Sequence, residues 1–144
     1  MIHEMKLHPK YYDFILNGTK RIEIRLNDEK RSQINLGDKI KFLKESDLEN
    51  SFEGEVIGLL RYNSFEEMFE DYSISILADK SMAKDELIKA LEEFYSKEKQ
   101  QKYGVLGIRI KLKDWFKNYF MLFYSKKRSE VYVKTKFIRS KKKN

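Results

Sequence analysis

The sequence predicts an α+β fold: a small mixed-sheet β-barrel with short helices at its mouth. Three observations point there. Segments that alternate apolar and polar residues, as strands do, are interspersed with short segments of helical spacing. The apolar run 54–62 carries two glycines, as a barrel requires where its strands bend. The length of 144 residues fits one domain plus an extension. The pattern by itself permits several α+β folds.

Ile2 to Leu7 alternates loosely ahead of a proline and reads as a first strand. Pro9 suits the first turn of a helix, where its missing N–H is no loss. Tyr11, Phe14 and Ile15, spaced i, i+3, i+4, give that helix an apolar face, and Gly18 is placed to take a left-handed C-cap. Lys20 to Leu26 is a second strand. Ile22, Ile24 and Leu26 share the face that enters the core, and Arg21, Glu23 and Arg25 share the other. Lys20 has the isoleucine parity, but at the mouth of the strand a bend can turn it outward.

Leu36-Gly37-Asp38 reads as a turn into a third strand with Ile40 and Phe42 inward. Lys44 to Glu53 is polar and reads as a loop, followed by a strand from Gly54 to Tyr62. Ser64-Phe65-Glu66-Glu67 is a capping box that starts a short helix with Phe65, Met68 and Phe69 inward. A longer helix spans about Met82 to Tyr95, with Leu87, Ile88, Leu91, Phe94 and Tyr95 at helical spacing. Val105 to Leu112 returns to alternation, with Ile108, Ile110 and Leu112 inward and Arg109 and Lys111 outward.

The domain body is therefore 1–112, and 113–144 is an aromatic and basic extension. Trp115, Tyr119 and Phe123 fall along one side of a helix. Glu130 to Ile138 alternates like a strand, and Ser140 to Asn144 reads as a disordered basic tail. If uncovered, the stretch from Trp115 to Tyr124 would favour self-association or a protein partner.

Charge is distributed unevenly. The chain carries +7, yet the extension holds eleven Lys/Arg against two acids, while the body holds 19 against 21. The basic balance thus belongs to the extension, which would attract phosphate non-specifically and in a salt-dependent way. The absence of cysteine excludes disulfides, thiolate nucleophiles and cysteine zinc sites. His3 and His8 find no third ligand at metal spacing, so neither metal nor cofactor is expected. No apolar stretch approaches the length of a membrane span, and the chain reads as soluble and cytoplasmic.

The most informative stretch runs from Gly18 to Asn27. It puts Lys20, Glu23 and Arg25 within six residues, at the entry to a strand. By spacing alone these residues also fit an exposed ion-pair strip, in which each pair is worth ~0–1 kcal/mol. The flanks add to the pattern. Met5-Lys6-Leu7-His8-Pro9 precedes it, and Leu36-Gly37-Asp38-Lys39-Ile40-Lys41-Phe42 follows. Later come Tyr95-Ser96-Lys97-Glu98 and Lys102-Tyr103-Gly104-Val105-Leu106-Gly107-Ile108. In this order the motifs resemble an ASCH domain of the PUA-like superfamily. The signature G-x-K-x-x-E-x-R falls on Gly18, Lys20, Glu23 and Arg25.

The resemblance implies a PUA-like barrel with a cleft beside it, lined by the motif strand, that receives RNA or a modified nucleotide. Lys20 would meet a phosphate or base oxygen, Arg25 would offer its planar fork, and Glu23 would accept from an exocyclic amine or hold a neighbouring cation. Arg61, Tyr62 and Tyr103, at strand ends near motif-like segments, are the candidates to complete the wall.

The family also contains enzymes, which leaves other functions open. In an N4-acetylcytidine amidohydrolase the motif lysine works with a threonine three residues later and a distant glutamate. Here the threonine position holds Glu23, Thr19 comes before Lys20, and Lys80 aligns near the glutamate. In a ribonuclease, Lys20 and Glu23 would supply acid–base chemistry with Arg25 on the phosphate, although the motif contains no histidine. A protein-interaction module with a vestigial cleft is the third alternative. The balance favours a binding module rather than an enzyme.

Overall fold

The computed structural model describes residues 1–113. The expectations for the extension, from the aromatic row Trp115–Tyr124 to the tail at Ser140–Asn144, lie outside the described residues.

Five strands form one mixed sheet curled into a half-barrel: β1 (Ile2–Leu7), β2 (Ile22–Leu26), β3 (Lys39–Lys44), β4 (Asp47–Tyr62) and β5 (Val105–Leu112). Their order is β1-β3-β4-β5-β2. β1 runs parallel to β3, and every other pair is antiparallel. β1 and β2 are therefore the two edges, joined in sequence by α1 (Pro9–Leu16). The remaining helices, α2 (Phe65–Asp71), α3 (Ile74–Leu77), α4 (Lys84–Phe94) and α5 (Lys97–Tyr103), all fall between β4 and β5.

Most expected core residues of the sheet are in place, whereas α1 buries Tyr12, Ile15 and Leu16 and leaves Tyr11 and Phe14 half-buried. Ile40 and Phe42 of β3 and Ile108 of β5 are fully buried. Ile22, Ile24 and Leu26 pack with Phe65, Met68, Phe69, Leu77 and Leu87, so this face of β2 is covered by helices. Residues directly opposite one another in an antiparallel pair share a face. Glu23 stands opposite Ile108 and Arg25 opposite Leu106, and both partners are buried. The second face of β2 is thus internal as well, which is why a strand bearing both Glu23 and Arg25 has little exposed surface.

Local signals explain most element ends. Gly18 follows the α1 cap at φ 83°, as expected of a left-handed C-cap. The Ser64 hydroxyl accepts the Glu67 N–H, and the Glu67 carboxylate reaches back to the Asn63 N–H. The glycine-bearing run bulges at Ile57, between Val56 and Gly58.

Two expectations are corrected. Lys44 to Glu53 is not a loop. Glu45 and Ser46 form a two-residue turn, and β4 already begins at Asp47. Asp47 to Ser51 is exposed throughout, so no buried face imposed an alternation that could be read. Two short helices, α3 and α5, also occupy stretches assigned to no element. The Ser96 hydroxyl caps α5 through the Lys99 N–H, and Gly104 ends it at φ 73°.

Two tests follow from this packing. A Cβ on Gly54 would collide with Cγ2 of Ile110 on the neighbouring strand. Gly54→Ala is expected to lower stability by ~1–3 kcal/mol in urea denaturation. Asp38 fastens the start of β1, accepting from His3, the Asn35 N–H and the chain's amino terminus. These contacts, led by His3, hold its carboxyl at about 2 against 3.8. Because the folded value is the lower one, the stabilisation is complete above the unfolded value. It is lost as pH falls from there through the folded value. In acid titrations followed by circular dichroism, Asp38→Asn should lose stability relative to the parent at neutral pH, and the difference should narrow across that window.

Candidate functional site

The site begins at the turn between α1 and β2. The Asn17 side chain accepts the Thr19 N–H, and the Lys20 N–H bonds to the Phe14 carbonyl. This places Lys20 just ahead of β2, next to the end of α3, where the Arg21 N–H bonds to Ile76 O. Lys20 does not turn outward as expected; it is 2% exposed. Its ammonium donates to Ile22 O at 2.5 Å and to Leu77 O, and lies 3.3 Å from Glu23 Oε1. Three N–H groups thus meet three acceptors, the condition under which an ammonium tolerates burial.

Glu23 is 5% exposed. Its Oε1 also accepts the Ile24 N–H at 2.9 Å, and its Oε2 lies 3.3 Å from Arg25 Nη2. Arg25 Nη2 donates in addition to Lys6 O at 2.8 Å. That bond runs from one edge strand to the other, where the sheet makes no ladder.

Charge states follow from these neighbours. Burial pushes the Glu23 carboxyl up, but Lys20, Arg25 and the Ile24 N–H together hold it below the usual carboxylate range. Burial pushes Lys20 below the usual lysine value, with Glu23 opposing. Burial would also lower Arg25, but Glu23, Tyr95 and Glu45 outweigh it and keep the guanidinium charged. The strip of exposed pairs is replaced by a buried cation–anion–cation triad.

Above the triad opens a cleft of about 410 Å³. Lys20, Glu23 and Arg25 form its polar floor. Tyr11 from α1 and Leu87, Ala90, Leu91, Phe94 and Tyr95 from α4 and its end form apolar walls, with Lys6, His8 and Glu45 also lining it. Phe94 is 77% exposed. Lys10 of α1 pairs with Asp79 at 3.0 Å, which ties α1 to the α3–α4 connection. Hydrogen bonds from the Ser81 hydroxyl and amide, and then from Lys10, hold the Asp79 carboxyl at about 2. Burial, reinforced by Asp79 and Glu23 against Lys10, pushes the Tyr11 phenol up, so it is a protonated donor at neutral pH. Among the described residues no group of three metal-ligating side chains is found.

The structure thus brings together Lys20, Glu23 and Arg25, but not the other three candidates. Tyr62 and Tyr103 lean against the helix-covered core, and the Tyr62 hydroxyl donates to Asp71 at 2.5 Å. Arg61 is exposed. None of the three lines the cleft. Conversely, His8, Tyr11, Glu45, Phe94 and Tyr95 line it without having been assigned to it. The apolar face read along α4 held a usable signal. The stripe serves both core and cleft: Ile88 packs on the core, Phe94 lines the cleft, and Leu87, Leu91 and Tyr95 do both.

A half-barrel with a charged motif strand at one edge and helices over the gap is the architecture that the resemblance to PUA-like domains implies. Comparisons with known proteins narrow this. The family model described as the ASCH domain matches residues 5–114. The crystal structure of hypothetical protein PH0355 is 37% identical, with a TM-score of 0.68, covering 78% of this chain and 100% of that one. The solution structure of PF0455 from Pyrococcus furiosus is 36% identical, with a TM-score of 0.65, covering 79% and 99%. A point mutant of ZmASCH from Zymomonas mobilis shares the fold at 9% identity and a TM-score of 0.56, covering 76% and 67%. A search of curated proteins returns no match. The chain belongs to the ASCH domain family.

The triad generates a stability test. Lys20→Met leaves a buried carboxylate short of a partner, and Glu23→Gln leaves a buried ammonium short of one. Each is expected to cost ~3–5 kcal/mol. The double variant should cost clearly less than the two singles together, as read from urea denaturation of all four chains.

Proposed function

We propose that this chain is an RNA or modified-nucleotide binding module whose cleft receives one unstacked base. The observation that carries this is the buried Glu23 carboxylate beside the half-buried Arg25 guanidinium at the floor of an aromatic-walled cleft. Its volume falls within the ~300–1,000 Å³ typical of small-molecule sites. ASCH domains are generally RNA-binding modules of PUA-like fold, which agrees with that chemistry. Unpaired bases are recognised by stacking on aromatic rings and by bonding along their edges. Tyr11, Phe94 and Tyr95 supply the rings. Glu23, held as a carboxylate, accepts a base N–H, and Arg25 donates to a neighbouring ring nitrogen or carbonyl. Lys20, with its donors occupied, positions Glu23 instead of meeting phosphate.

The cleft favours binding over the enzymatic alternatives. Among the described residues no serine or threonine lines it. The Thr19 N–H is taken by Asn17, and neither Thr19 nor Lys80 reaches the cleft. A lysine–threonine–glutamate arrangement is therefore not assembled. We further propose that 1–112 is the binding domain and that 113–144 adds non-specific, salt-sensitive attraction. The family match ending at residue 114 supports this division. A cytoplasmic location goes with an RNA partner, and among the described residues no helix is long and apolar enough to cross a membrane.

Fluorescence anisotropy with a short single-stranded RNA, at low and moderate salt, tests the proposal. Arg25→Ala and Phe94→Ala in the full chain should each weaken binding, Arg25→Ala by ~10-fold or more, as for a hydrogen bond to a charged group. Thermal unfolding checks that both variants remain folded. Unchanged binding in both, with affinity collapsing as salt rises, would assign the RNA affinity to the extension.

A further inference from the structure

Two side chains at the rim of the cleft have no part in the base-binding floor, and a third, Arg25, has donors to spare beyond it. Lys6 lies on β1 between buried Met5 and Leu7, is exposed, and makes no ion pair among the described residues. His8 is exposed where β1 gives way to α1. Its Nδ1 accepts the Lys10 N–H at 3.2 Å. That bond leaves Nε2 as the nitrogen that carries the proton in the neutral ring. His8 is also in edge contact with Tyr11, at 6.3 Å between ring centroids, which places it beside the aromatic wall. Arg25 has only Nη2 engaged with Lys6 O and Glu23. Its Nη1 and Nε donate to nothing among the described residues.

These donors come from both edges of the half-barrel. Lys6 and His8 belong to the β1 side, and Arg25 reaches over from β2. Two acids line the same cleft. Glu23 is neutralised by Lys20, which leaves Glu45 to oppose the rim cations. The local balance is positive, although residues 1–112 as a whole carry more acids than bases. A cationic rim around an apolar, base-sized cleft matches an amphipathic ligand with an anionic end.

We propose that the cleft is a nucleotide site rather than a nucleoside site, with Lys6, His8 and the outer fork of Arg25 forming a phosphate subsite at its rim. The inference rests on the base-binding reading above. With the base against Glu23, the ribose carries its phosphate outward, and the rim is where it emerges. Arg25 then serves both parts of the ligand: Nη2 stays on the seam and on Glu23, while of Nη1 and Nε one meets the base edge and the other faces the phosphate. Lysine contributes a point charge and His8 a directed N–H.

Isothermal titration of the full chain tests this, with the four ribonucleosides, their 5′- and 3′-monophosphates, and inorganic phosphate as probes. At least one monophosphate should bind ~10-fold or more tighter than its nucleoside, and the gain should shrink as salt rises. Lys6→Ala and His8→Asn should remove most of that gain and leave nucleoside affinity unchanged. Asparagine keeps a helix-capping acceptor while removing the ring donor. Nucleosides that bind as tightly as their monophosphates would overturn the phosphate subsite and leave the base reading standing. Inorganic phosphate binding that depends on Lys6 and His8, with monophosphates no tighter than phosphate itself, would do the reverse. Absence of saturable binding by every probe would overturn both.

Discussion

The Lys20–Glu23–Arg25 triad is the constraint around which the rest of this structure is arranged. Two of its members are almost completely removed from water. Removing an ion from water costs several kcal/mol even after relaxation. The fold offsets this by supplying polar partners to both buried ions and to one nitrogen of the guanidinium. Backbone carbonyls from β2 and α3 receive the ammonium, an N–H from β2 meets the carboxylate, and a carbonyl from β1 receives the guanidinium. Those partners come from three separate elements. The triad therefore joins the first turn after α1 to the end of α3 and to the opposite edge of the sheet.

The same arrangement explains why there is a cleft at all. A sheet with two unpaired edges exposes backbone groups that invite association. Here the edges approach each other without forming a ladder, and the bond from Arg25 to Lys6 O spans the gap. Helices α1, α3 and α4 flank it, and the Lys10–Asp79 pair ties α1 to the connection between the other two. The result is a concavity with backbone order beneath it and aromatic side chains around it. A closed barrel would have consumed that space, and an open sheet would have left the charges in water, where their mutual attraction is weak.

Much of the fold was legible because its signals are local. Pro9 at the first helical turn, Gly18 after the last, and Ser64 three residues before Glu67 each act through one or two hydrogen bonds of the nearby backbone. The alternation in β3 and β5 could be read because one face of each is buried more deeply than the other. The first half of β4 escaped, since an exposed hairpin imposes no alternation. α3 and α5 escaped because four and seven residues are too short for helical periodicity to stand out. Gly104 and Ser96 mark the ends of α5, but both had been read as parts of a motif.

The sequence by itself determined the α+β class, the family, most strand and helix positions, and the three motif residues that converge. The family came from the order of motifs along the chain; the rest depend on periodicity, capping and spacing, which act within a few residues. Only the tertiary structure decided that Lys20 turns inward, that Arg25 spans two edge strands, and that Tyr11, His8, Phe94 and Tyr95 surround the motif while Tyr62 and Tyr103 do not. Lys20 and Leu77 are 57 residues apart, and Arg25 and Lys6 are 19 apart. Whether a charge is buried or exposed depends on what other segments place around it, and the spacing of residues along one strand carries no record of that.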